Sequence, residues 1–138
     1  MAFNPASHHP GGEPRVLSDG KRIWHVTTLW AAAAGLTPRP VPVSEIREMD
    51  EICWFSDAWG KKPTCRAVAD HCRRIMTADL SVPIILGPLG DNPLAVLDGM
   101  HRAARCLLEN RPTIDAVILE AMPAPDEMLK ADDPRDER

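Results

Sequence analysis

The apolar run Leu94-Ala95-Val96-Leu97 ends abruptly at Asp98-Gly99, and from Met100 onward Met100, Ala103, Ala104, Leu107 and Leu108 recur at helical spacing. This junction predicts a strand that passes directly into a helix, which is a strong constraint on the fold. A helix N-terminus gathers backbone N–H groups that lack partners inside the helix, and its partial positive charge disfavours a nearby cation unless an anion is also present. Arg102 sits in that first turn. The stretch from Asp98 to Arg102 therefore reads as an anion site, suited to phosphate or carboxylate.

A chain of 138 residues matches the commonest size for one domain with its own core. Its formal charge of −4 opposes a broad basic surface of the kind that grips nucleic acid without sequence preference. No apolar run approaches the ~20 residues needed to span a bilayer, and the first fifteen residues lack the apolar core of a signal peptide. A cytoplasmic protein without membrane association is expected. Cys53, Cys65, Cys72 and Cys106 show neither a CxxC pair nor zinc-ligand spacing, so they read as reduced, mostly buried thiols, and no protein metal site is expected.

Residues 1–20 are rich in Pro, Gly, Ser and His and read as a disordered leader. Thr27-Thr28 are placed to cap a short helix from Leu29 to Ala34, ended by Gly35. Val41, Val43 and Ile46 suggest a first strand, and the neighbouring prolines place it at a sheet edge. Residues 47–63 lose periodicity and form a long loop holding Trp54, Phe55 and Trp59, which either stack on a nucleic-acid or nucleotide base or cluster beneath the loop. The spacing of Cys65, Val68, Ala69, Cys72, Ile75 and Met76 predicts a helix over 64–78 that buries this face, with Thr64 at its start. Pro83-Ile84-Ile85-Leu86 and Leu94–Leu97 frame a hairpin-like turn, a helix spans 99–109 with Asn110 at its end, and Thr113–Leu119 form a last strand. The charged segment 123–138 reads as a disordered tail, leaving 21–122 as the domain.

Val96-Leu97-Asp98-Gly99-Met100-His101-Arg102, followed by an apolar helix and a strand, resembles the ParB/sulfiredoxin-like superfamily. Pro63-Thr64-Cys65-Arg66, His71, Arg74-Ile75, Ala78–Ser81 and Pro83–Leu86 extend the resemblance, which spans about residues 40–125 and is to the compact ParB-like proteins of bacteria. It implies an α+β fold with a small mixed sheet flanked by helices. It also implies a nucleotide site, with the phosphates of ATP, ADP or CTP, accompanied by magnesium, against Gly99, Met100, His101 and Arg102. Asp98 could cap the helix, orient His101 or Arg102, or hold a bridging metal. His71 and Arg74 lie one turn apart and either face the same pocket or serve packing and solvation.

Met100 stands where sulfiredoxin-like enzymes carry a reactive cysteine, and a thioether cannot be that nucleophile. The helix-turn-helix domain of partition proteins has no counterpart after the last strand, so autonomous sequence-specific DNA binding is not expected. A further branch phosphorylates free serine with a carboxylate base, for which Glu45, Glu48 and Asp50 are the candidates here, and ordinary loop polarity is the competing account of each. Two functions follow: a small-molecule phosphotransferase or nucleotide hydrolase, or a nonenzymatic nucleotide-responsive module that engages a protein partner or a second copy. A role associated with nucleic acid in chromosome partition would require a basic groove that the net charge does not promise.

Overall fold

The computed structural model describes residues 16–58 and 60–130. They form a small α+β domain built on two sheets. The elements in chain order are β1 (Val16–Ser18), β2 (Arg22–His25), α1 (Val26–Ala33), β3 (Arg39–Pro42), α2 (Cys65–Met76), β4 (Ile84–Leu89), β5 (Asn92–Asp98), α3 (Met100–Leu108), β6 (Thr113–Ile118) and β7 (Glu127–Met128). Two 3-10 turns, Val43–Glu45 and Arg47–Asp50, follow β3.

The larger sheet has the order β3-β6-β4-β5 and is mixed, because β4 and β6 run parallel while the other neighbours are antiparallel. Its central strand β4 opens with the continuous apolar run Ile84-Ile85-Leu86, as expected of a strand covered on both faces. Ile85, Val117 and Leu119 face one core with Trp24 and Leu29, whereas Ile84, Leu86, Ile114 and Ala116 face a second core with Ala103 and Cys106. The period of two along each strand thus sends alternate residues to α1 on one side and α3 on the other. β3 lies at an edge, as its prolines predict, though it ends at Pro42 and the chain then turns rather than continuing extended to Ile46.

The smaller sheet, β1-β2-β7, falls where the sequence showed no strand pattern. β1 lies within the segment read as a leader, and β7 within the segment read as a tail. Residues 123–130 are not a solvated tail: the Trp24 indole N–H donates to the Pro123 carbonyl at 2.8 Å, and β7 pairs with β2. Asp126 accepts from the His25 backbone N–H at 2.7 Å and from the Thr28 hydroxyl at 2.9 Å. It satisfies the start of α1, so the helix begins at Val26 with His25 as its N-cap rather than with a threonine cap. Those bonds hold the Asp126 carboxyl below the usual carboxylate range, the His25 N–H being the main cause. Residues 1–15 and 131–138 of the expected leader and tail lie outside the described residues.

α2 forms where its periodicity predicts, and the Thr64 hydroxyl accepts from the Ala67 N–H at 3.1 Å as an N-cap. The face it turns inward is a different one. Cys65, Val68, Ala69, Cys72 and Met76 are exposed, and the half-buried positions are Ala67, Asp70, His71, Arg74, Ile75 and Ala78. At 100° per residue this is a rotation of roughly a third of a turn from the apolar stripe. Two contacts set it: His71 is engaged by rings from the loop and from α3, and the Arg105 guanidinium reaches the Ile75 and Met76 carbonyls at the helix end. The thiols are correspondingly less buried than expected, since only Cys106 is fully enclosed and all four are unpaired with one another.

Candidate functional site

The junction at Asp98 has the predicted form, with Asp98 ending β5 and Met100 beginning α3. Gly99 is the N-cap, at φ 109° in the left-handed region. A Cβ there would lie 2.5 Å from Ile84 Cγ2 and 2.8 Å from Arg102 Nη2, so both the backbone and the space require glycine. Asp98 is therefore not the helix cap. Its Oδ2 accepts from the Trp30 indole N–H at 2.9 Å and lies 3.6 Å from Arg102 Nη2, which makes it a group that orients Arg102 and ties α1 to the turn.

Arg102 lies beneath the turn and is only 5% exposed. Its Nη1 donates to the Pro83 carbonyl at 3.3 Å and the Val82 carbonyl at 3.4 Å, while Nη2 faces Asp98. The guanidinium thus braces the loop before β4 against the start of α3. A cation at a helix N-terminus is unfavourable with the helix dipole, and here the buried Asp98 carboxylate supplies the opposing charge.

A cavity of about 240 Å³ opens beside the turn. Asp98, Gly99, Met100 and His101 line one side together with Arg74 of α2, so one cation reaches this space from a second helix. Trp54 from the long loop forms another wall, and Val16, Leu17, Val26 and Leu29 from β1 and α1 supply an apolar one. Among the expected site residues, Asp98, Gly99, Met100, His101 and Arg74 share this space; His71 stands behind it and Arg102 underneath.

His71 Nδ1 and His101 Nε2 are 2.8 Å apart, in a hydrogen bond in which one imidazole donates and the other accepts. The two rings are within 9° of parallel, with centroids 5.1 Å apart, so they lie edge to edge as a nearly flat pair. The Trp54 indole covers both, with centroids 4.7 Å from His71 and 4.5 Å from His101 and interplanar angles of 15° and 10°. Phe55 meets His71 edge-on at 5.2 Å. Trp54 takes φ 66°, a left-handed conformation that costs a non-glycine residue about 1–3 kcal/mol and is retained where the surroundings hold it. Burial pushes the His71 imidazole below its ordinary pKa, Arg74 pushes it further the same way, and Asp70 opposes both. The bond requires at least one neutral ring, because two imidazolium rings would offer no acceptor.

The three candidate carboxylates are dispersed. Glu48 accepts from the Val96 backbone N–H at 2.5 Å through one oxygen and lies 3.4 Å from the Asn92 amide through the other, so it caps the open edge of β5. Glu45 and Asp50 are exposed on the two 3-10 turns. None of the three lines the cavity. Among the described residues, no group of three or more His, Cys, Asp or Glu side chains converges in a way that could hold a metal ion. Burial raises the Cys53 and Cys106 thiols above their ordinary pKa, the opposite of an activated nucleophile.

Val16, Leu17, Val26, Leu29 and Trp30 were missed by sequence reasoning, because their part in the site depends on β1 and α1 folding over the end of β5. Trp54 and Phe55 take the histidine pair as the partner that neither account of the loop aromatics supplied. Trp59 lies outside the described residues. No described helix is long and apolar enough to cross a membrane. Comparison of the chain with protein-family models, with curated proteins and with solved structures finds no match.

Proposed function

We propose that the cavity beside Asp98–His101 binds the oxyanion of a small ligand, a phosphate foremost, and that the domain is of the ParB/sulfiredoxin-like kind. The observation that carries this reading is the convergence of Arg74 and the start of α3 on one half-open cavity. The first turn of α3 supplies N–H donors, Arg74 supplies a fork of charged donors, and Gly99 lets that turn pack closely on Ile84 and Arg102. Arg102 serves as the brace that holds these groups in register, and of the two arginines expected at the site Arg74 is the one placed to contact the ligand.

A nucleotide is one form of such a ligand. At about 240 Å³ the cavity is smaller than the roughly 300–1,000 Å³ that encloses a drug-sized molecule, so it would enclose the phosphate end or another part of a nucleotide rather than the whole. Magnesium would arrive with the phosphates, since Asp98 is already committed to Trp30 and Arg102 and no carboxylate cage surrounds the turn among the described residues.

A binding module is favoured over a phosphotransferase because Glu45, Glu48 and Asp50 all stand outside the cavity. The competing catalytic reading rests on His101, a cavity-lining base whose ring is oriented by His71. Calorimetry of inorganic phosphate, ATP, ADP, CTP and GTP, with and without magnesium, tests the proposal on wild type and Arg74→Gln. At least one of these ligands is expected to bind wild type and to lose about tenfold or more in affinity in the variant. Absence of binding by all of them, or equal binding by both proteins, overturns the phosphate reading. Release of phosphate from the nucleotide, abolished by His101→Gln with binding retained, would replace the module with an enzyme.

A further inference from the structure

We infer that the ligand of this cavity is an oxyanion carried on a compact apolar body, such as an aryl or branched-alkyl phosphate or carboxylate. The inference rests on the oxyanion reading of the turn and adds the chemical class of what the oxyanion is attached to.

Two unlike sets of residues line the cavity. Arg74 of α2 and Gly99–His101 at the start of α3 make up one, and side chains without hydrogen-bonding atoms from β1 and α1, Val16, Leu17 and Val26 above a fully buried Leu29, make up the other. A ligand that reaches from the turn across the cavity meets Val16, Leu17, Val26 and Trp54 with its second half. Hydroxyl groups placed there would exchange water for surfaces that neither donate nor accept, and an apolar group would gain by leaving water. A sugar phosphate is thus poorly matched to the apolar set even though its phosphate suits the other.

The size of the space sharpens the class. About 240 Å³ leaves room beyond an oxyanion for a ring or a short branched chain, and the greater part of a nucleoside triphosphate would lie outside it. The aromatic wall is fixed in advance: Trp54 is stacked on two imidazoles that are bonded to each other, so its indole has little freedom to withdraw or to swing across the space. A rigid apolar wall facing a preformed anion site is the arrangement that recognises an amphipathic small acid, because each set of residues rejects the other's chemistry.

Binding to the full chain, followed by calorimetry and by amide chemical shifts, separates the possibilities with five probes: inorganic phosphate, glycerol 3-phosphate, phenyl phosphate, benzoate and benzyl alcohol. Phenyl phosphate is expected to bind at least tenfold more tightly than glycerol 3-phosphate, with benzoate also exceeding benzyl alcohol. Leu17→Ser is expected to shrink the gap between the two phosphate esters, and Val26→Ser serves the same purpose should the first variant not fold. Equal binding of the two esters in wild type overturns this inference while leaving the oxyanion reading intact. Benzyl alcohol binding as tightly as phenyl phosphate, with no response to inorganic phosphate, overturns the oxyanion reading and this inference with it. No binding of any probe overturns both.

Discussion

α2 and α3 carry apolar stripes of the same kind, yet one helix is built into the core and the other is not. α3 buries Arg102, Ala103 and Cys106, although Leu107 and Leu108 at the end of its apolar stripe are 51% and 58% exposed, whereas no residue of α2 is fully buried and its Val68 and Met76 are 40% and 58% exposed. The difference lies in how the chain delivers them. α3 runs directly from β5 and returns to β6 after a short turn, so two strands of one sheet hold it against that sheet. α2 hangs between a long loop and the approach to β4, and it meets the body of the protein through His71, Arg74 and Ile75. An apolar period states that a helix has a face to cover; connectivity and specific polar contacts decide which face is covered.

The largest effect that would test this contrast is at Arg102. Arg102→Ala removes the brace under α3 and leaves the Asp98 carboxylate buried with its charge uncompensated, which is expected to cost about 3–5 kcal/mol in denaturant unfolding. A loss below about 1 kcal/mol would show that α3 does not depend on this pair. One chemical change made on both helices gives the next comparison. Cys106→Ser places a hydroxyl at a site only 2% exposed and is expected to cost about 1–3 kcal/mol, while Cys72→Ser on exposed α2 stays within about 0.5 kcal/mol. Equal losses would mean that the outer face of α2 is covered after all.

The smallest expected effect concerns pH. His71 has its folded pKa lowered by burial and then by Arg74, so the folded state binds a proton less readily than the unfolded chain. The stabilisation this represents is present above the unfolded value of about 6.5 and is lost as pH falls through the lower folded value. Unfolding midpoints measured from pH 8 to pH 5 should fall for wild type, accompanied by a change in Trp54 fluorescence, and fall less for His71→Phe. A variant that tracks wild type across the whole range would remove His71 as the source.

Much of this architecture is legible in local pattern. The strand-to-helix junction, the capping of α2 by Thr64 and the left-handed Asn110 after α3 all follow from residues within a few positions of one another. Gly35, also left-handed, ends α1 as its residue type suggests. In the small sheet β1 and β2 form a local hairpin, but the addition of β7 was illegible because it comes from contacts about a hundred residues apart in sequence, such as Trp24 to Pro123 and His25 to Asp126. The polar composition of 123–130 conceals that ordering. Glu48 looked like a candidate base because an acid near a loop has no local signature that distinguishes catalysis from capping a strand edge; its bond to Val96 shows only in space. The site itself was half legible. The turn is written in five consecutive residues, but the lining of the cavity by Arg74, with Arg102 buried beside Asp98, depends on α2 presenting a face that its apolar stripe does not indicate.

The most direct test of the account is an amide chemical-shift titration of the full chain with inorganic phosphate, on wild type and Arg74→Gln at fixed ionic strength. Saturable shifts at Gly99, Met100 and His101 in wild type, markedly weakened in the variant, are the predicted result. Shifts spread over the surface without saturation, or shifts at the turn that are unchanged by the substitution, would contradict an oxyanion site shared by α3 and Arg74.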